Sequence, residues 1–168
     1  MNQDFNASGF KIEKAIRLLC QKFLEDSSSA KPTLFHSVRV GNNLYKNDYK
    51  ESVVIGGFLH DVLEDTKTTE NEINDLFGKE VTDIVKANTK NKNLNDRHER
   101  HRELIQRCVE TSEDAAIVKA ADILDNFDYY KRINSQDGIE YCKNNSRLLQ
   151  EFLPKDYSDP IFQELNQI

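Results

Sequence analysis

Between Glu51 and Leu63 the chain offers no helical face that could meet water. Val53, Val54, Ile55, Phe58 and Leu59 fall nearly all round a helical wheel. A helix apolar on every side belongs in the middle of a bundle, so this segment predicts a central helix enclosed by others. The remaining sequence reads as such helices. Phe10, Ile12, Ile16, Leu19 and Phe23 recur at helical spacing and fade in the polar run Glu25 to Ser29. After Pro32, a second helix carries Leu34, Phe35, Val38, Val40 and Leu44. Thr69 and Glu72 form a capping box for a short helix that Gly78 closes. Val81 to Ala87 follows, then a polar loop from Asn88 to Asn95, then a helix from about Asp96 to Glu110. Thr111 or Ser112 caps a long helix through Ala115, Ile117, Val118, Ala121, Leu124 and Phe127. Ile139 to Phe152 gives another, and Ser158 starts a last one with Pro160 in its first turn. Six Gly and three Pro are too few turn formers for a sandwich or barrel of many short strands. The expectation is an all-α, single-domain bundle of seven to nine helices spanning residues 1–168.

Charge and cysteine content exclude some functions. A net charge of −6 argues against binding nucleic acid through a basic surface. The charge is uneven, however. His60 to Asp83 holds eight acids against Lys67 and Lys79, whereas Lys86 to Arg107 holds seven Lys or Arg against Asp96, Glu99 and Glu103. A cation beside an anionic substrate would suit that pairing, although from charge alone two solvated helix faces are the readier explanation. Cys20, Cys108 and Cys142 are odd in number and scattered, which fits neither a disulfide framework nor a thiolate zinc site. No apolar run approaches the ~20 residues of a membrane span, and Met1 to Gly9 has no signal-peptide core. A cytoplasmic protein with no membrane partner is expected.

Three segments carry chemistry. His60-Asp61 ends the apolar helix, where an unpaired buried carboxylate would be costly and a divalent cation would compensate it. Glu64 and Asp65 stand one turn on, so a persisting helix would bring four polar groups close together. Asp122 lies in KAADILDN (Lys119 to Asn126), inside an amphipathic helix where Asp is a poor interior residue. His36 follows Phe35 in a helix start. Taken singly, these read as a solvated acid cluster, an Asp122–Lys119 surface pair and a packed core histidine. Together, two imidazoles and two carboxylates make a borderline-hard site for one ion of Mn, Fe, Co, Ni or Zn. Such an ion lowers the pKa of bound water and polarises a phosphoryl oxygen.

The order His, then His-Asp, then Asp, all on helices, resembles the HD superfamily of metal-dependent phosphohydrolases. The finer match resembles the hydrolase domain of RelA/SpoT-type alarmone enzymes, especially their stand-alone small forms. It rests on His36 four residues after Pro32, LHDVLEDT from Leu59 to Thr66, FGKEV from Phe77 to Val81 with NTK at Asn88 to Lys90, and VKAADILDN from Val118 to Asn126. These motifs span roughly residues 30–130. The resemblance implies an HD-type helical fold in which His36, His60, Asp61 and Asp122 hold one divalent ion, typically Mn²⁺. It implies that Glu64 and Asp65 orient and deprotonate the attacking water and that Asn126 contacts the nucleotide near its ribose. The implied reaction removes the 3′-pyrophosphate from ppGpp or pppGpp. No synthetase domain is recognisable, so alarmone synthesis is not expected.

The chain also departs from that pattern. The family's Arg or Lys, Asp, Gly and Pro-Tyr before the first His become EDSSSAKPT, with Ala30 near the Gly and Thr33 in place of the Tyr. The Arg after the last metal-binding Asp is replaced by Ile123. These changes touch base recognition and leave the metal set intact. They keep open an HD hydrolase of another nucleotide: a 5′-nucleotidase, an NADPH phosphatase or a cyclic-nucleotide phosphodiesterase. A nucleotide-binding sensor without turnover is the reading from another class. Arg97, Arg100 and Arg102 are candidates for the substrate's phosphates, because guanidinium suits phosphate oxygens. His98 and His101 could bind metal or phosphate, although His101 shares a stripe with Leu104, Ile105 and Cys108. Tyr129 and Tyr130 could stack on a base or belong to the core.

Overall fold

The computed structural model describes residues 2–26 and 32–168, so the stretch Ser27 to Lys31, with Ala30, lies outside the described residues. Among those described there is no strand. Nine helices of six residues or more and one single turn make up the fold. They are α1 (Asn2–Asp26), α2 (Thr33–Lys46), α3 (Glu51–Leu59), the turn α4 (Val62–Asp65), α5 (Glu70–Phe77), α6 (Lys79–Asn88), α7 (Arg97–Thr111), α8 (Glu113–Arg132), α9 (Gln136–Phe152) and α10 (Pro160–Leu165).

The apolar segment is the centre of the bundle, as its sequence requires. Every residue of α3 from Ser52 onwards is buried, and α1, α2, α6 and α8 all pack against it. Two glycines let α2 and α3 approach closely. A Cβ on Gly57 would meet the Leu44 side chain and the Gly41 backbone, and one on Gly41 would fall on the Phe58 ring. This crossing sets the spacing between His36, on α2, and His60, just past α3.

Local side-chain chemistry sets the boundaries. Thr69 Oγ1 accepts from the Glu72 amide, and Gly78 ends α5 at φ 85°, where a side chain would be strained. Asp96, Ser112 and Ser135 cap α7, α8 and α9 in the same way. The last helix departs from expectation by one residue. Asp159, not Ser158, is its N-cap, accepting from Ile161 N, because Pro160 then stands at the first position, where no amide is needed.

Three further corrections apply. The central helix does not run unbroken to Leu63: it ends at Leu59, turns through His60 and Asp61, and resumes as α4. Phe10 is 71% exposed, while the expected Leu19 and Phe23 are buried on the face of α1 together with Ala15 and Leu18. Phe35 is 59% exposed and lies under the Arg39 guanidinium at 4.7 Å, rather than in the core. No helix among the described residues is long and apolar enough to cross a membrane.

Candidate metal centre and cleft

The break after α3 and the meeting of α2 with α8 bring four residues together from three parts of the chain. His36, His60 and Asp122 are buried, and their ligand atoms lie within 4.8 Å of one another. Asp61 joins them: its Oδ2 is 3.3 Å from His60 Nε2 and 3.9 Å from His36 Nε2. Asp122 Oδ1 lies 3.0 Å from His36 Nε2 and 3.8 Å from His60 Nε2. The turn at His60–Asp61 is what lets adjacent residues address one point.

The tautomers follow from the outer partners. His60 Nδ1 is 2.8 Å from the Gly57 carbonyl oxygen, which can only accept, so Nδ1 carries the proton. His60 Nε2 is then a lone pair, fully buried and without a hydrogen-bond partner. It faces carboxylate oxygens, which are also acceptors. Acceptors converging on one point need a positive charge between them, a proton in the metal-free protein or a metal ion in its place. The donor set of two imidazole nitrogens and two carboxylates therefore fits a divalent metal.

The electrostatics agree. Burial opposes the charge on His36, yet hydrogen bonds to Asp122 and Asp125 bring its imidazole up to about 9. Burial likewise opposes the Asp122 carboxylate, but the Lys119 ammonium holds it well below the usual carboxylate range. Lys119 Nζ donates to Asp122 Oδ2 at 2.8 Å from a buried position, so the Asp122–Lys119 pair exists but is not a surface pair.

A cleft of about 410 Å³ opens beside this cluster. Its lining carries the acids Asp61, Glu64, Asp65 and Asp122 and the bases Lys90, Lys119, Arg97 and Arg100. Members of both oppositely charged segments of the sequence thus line one cleft. Lys90 reaches across to Glu64 Oε1 at 2.6 Å. Asn126 lines the cleft and donates its amide to the Asp122 backbone oxygen at 3.0 Å. Arg100 is anchored on the Leu94 carbonyl, and Arg97 lies 5.5 Å over the Tyr141 ring. Arg102 is elsewhere, paired with Glu151 on the surface. Ile123 is buried in the core and Thr33 lines the cleft.

Two residues that the sequence offered as secondary candidates border the cleft. His101 lines the cleft against Tyr141, its Nδ1 donating to the Arg97 carbonyl at 2.6 Å, and burial lowers its pKa. Tyr130 also borders the cleft. Asp125, which holds His36, was not singled out at all. Its signal is the spacing: His36 and Arg39 on α2 and Asp122 and Asp125 on α8 are both i, i+3 pairs.

A family profile described as "HD domain" matches residues 15–140, most of the chain and all of the metal cluster. The chain belongs to the HD domain family. Membership implies a divalent metal, and the donor set fits one. A guanosine-3′,5′-bis(diphosphate) 3′-pyrophosphohydrolase of Aquifex aeolicus is 32% identical over 122 residues, covering 69% of this chain and 17% of that protein. A probable enzyme of the same name from Mycoplasma pneumoniae is 32% identical over 109 residues, 58% of this chain and 15% of that protein. The chain thus spans about a sixth of the length of these relatives. The Drosophila melanogaster 3′-pyrophosphohydrolase MESH1 is 38% identical over 76 residues, 45% of this chain and 42% of that protein. A solved structure described as a metazoan ortholog of SpoT that hydrolyzes ppGpp shares the fold. Its TM-score is 0.76 at 23% identity, covering 94% of this chain and 92% of that one.

Proposed function

We propose that this protein is a metal-dependent phosphohydrolase that removes the 3′-pyrophosphate of ppGpp, consuming one water and giving GDP and pyrophosphate. The observation that carries the reading is the buried, partnerless His60 Nε2 aimed with His36 Nε2 at the Asp61 and Asp122 carboxylates. The names of the relatives supply the substrate.

His36, His60, Asp61 and Asp122 hold the ion, which we assign as Mn²⁺. When bound, such an ion lowers the pKa of a water and polarises the phosphoryl oxygen. Glu64 and Asp65, on the cleft wall beside Asp61, orient the attacking water and accept its proton. The Lys90 ion pair holds the Glu64 carboxylate in place. Lys119, Arg97 and Arg100 offset the charge of the pyrophosphate, and Asn126 stands where a ribose would lie. The partner is a small nucleotide in the cytoplasm, with neither nucleic acid nor membrane involved.

The test is product release with Mn²⁺ from ppGpp, NADPH, deoxynucleoside monophosphates and cyclic nucleotides. Pyrophosphate and GDP from ppGpp, absent in Asp61→Ala, are expected. Turnover of another nucleotide but not ppGpp would move the reading to a different HD hydrolase. Binding without turnover anywhere on the panel would make the domain a sensor.

A further inference from the structure

Three side chains behind the metal cluster form a continuous relay. Asp125 Oδ2 lies 2.6 Å from His36 Nδ1 and accepts from Arg39 Nη2 at 2.6 Å, while Asp125 Oδ1 accepts from Arg39 Nε at 2.8 Å. The Asp125 side chain is 15% exposed and Arg39 30% exposed. Neither lines the catalytic cleft. Both border a separate groove of about 990 Å³ between α2, the end of α8 and the C-terminal residues. Contact with the substrate in the cleft is therefore not their role.

The chemistry of the relay is one-directional. An ionised carboxylate only accepts, and the guanidinium only donates, so the proton between Asp125 and His36 belongs to His36 Nδ1. In the neutral ring this leaves the lone pair on Nε2, 3.0 Å from Asp122 Oδ1, inside the metal cluster. His60 reaches the same tautomer through a backbone carbonyl, but His36 has no such carbonyl and takes a charged acceptor instead. The two-point Arg39 fork leaves the Asp125 carboxylate one orientation, and the ring plane of His36 follows it.

We infer that Asp125 is the positioning residue that sets the tautomer and aim of His36, with Arg39 as its clamp. The inference rests on the metal-centre reading above and deepens it. A carboxylate behind a metal-bound imidazole orients the ring and makes its free nitrogen more basic. Losing such a partner typically costs 10- to 100-fold in metal affinity.

The experiment measures Mn²⁺ affinity by calorimetry for wild type, Asp125→Asn, Arg39→Gln and the double variant. Long-range ¹H–¹⁵N spectra of the metal-free proteins, recorded where the His36 ring is neutral, report its tautomer, and urea unfolding reports the fold. Asp125→Asn keeps the shape and loses the charge, so its affinity should fall about 10- to 100-fold. Arg39→Gln should lose less, and the double variant no more than Asp125→Asn alone, because both act through one relay. His36 in Asp125→Asn should no longer hold its proton solely on Nδ1. Wild-type affinity with an unchanged tautomer, or losses that simply add, would overturn the role of Asp125. If Asp125→Asn fails to fold, Arg39→Gln decides by the same two readouts. A wild-type protein that binds no divalent ion would overturn the metal centre itself, a different failure seen in a different sample.

Discussion

In the metal-free protein the fold holds the His36 imidazole at about 9, against an ordinary value of 6.5. A group raised in this way stabilises the fold below pH 6.5, and that contribution fades as pH climbs towards 9. The shift is worth at most about 3.5 kcal/mol, taking ~1.4 kcal/mol per unit. Chelated protein should therefore lose urea resistance between pH 6.5 and 9, and a flat midpoint across that window would refute the coupling. Metal binding must displace the same proton, so Mn²⁺ affinity should rise over that range. At Glu64 the expectation separates binding from catalysis. Glu64→Gln should keep its metal while kcat falls ~10²- to 10⁴-fold, the usual span for a general acid–base group. Metal content lost in step with rate would make Glu64 a ligand instead. The residues of the metal cluster were legible because His60-Asp61 and Asp122 stand in apolar helices where polar groups need a reason. Asp125 and Arg39 were not, because their meaning lies in a contact 86 residues apart in the chain.

Among the helices, periodicity and caps carried most of the information. Thr69 before α5, Gly78 after it and Ser112 before α8 all do locally what their residue types dictate, while the Glu72 carboxylate pairs with Lys22 at 2.9 Å. The turn after Leu59 was invisible in the sequence, since the apolar pattern continues through Val62 and Leu63. The break lets both His60 and Asp61 face the cluster, whereas adjacent residues on one regular helix point about 100° apart. The α2–α3 crossing carries that geometry. Gly57→Ala would drive a methyl group into Leu44 and the Gly41 backbone, forcing the two helices apart. Overpacking of this kind costs ~1–3 kcal/mol. Because His36 and His60 ride on the two sides of that crossing, Mn²⁺ affinity should fall as well. Gly9→Ala, where a methyl group meets nothing within 4 Å, should change neither stability nor metal binding. Equal behaviour of the two variants would show that the crossing has slack.

Across the whole molecule, the charge pattern of the sequence becomes a cleft lined by both acids and bases. The segment Lys86 to Arg107 was expected to supply phosphate contacts, and the fold divides its arginines. Arg102 is turned to the surface with Glu151, so it should be silent. Arg100 lines the cleft but is anchored on the Leu94 carbonyl, which makes it part of the wall that shapes the loop before α7. Arg97 is exposed, lies over Tyr141 and borders the cleft near Lys90 and His101. It is the arginine best placed to meet an incoming pyrophosphate. A charge-assisted hydrogen bond is worth about 1.5–3 kcal/mol, which corresponds to roughly 10-fold or more in KM. Arg97→Ala should therefore raise KM for ppGpp by about that factor, with a smaller effect on a nitrophenyl phosphate ester that lacks the second phosphate. Arg102→Ala should match wild type on both substrates. Steady-state kinetics of the two variants decide the matter. Wild-type KM in Arg97→Ala would assign phosphate recognition to Lys90 and Lys119, whose ammonium groups pair with Glu64 and Asp122 in the cleft.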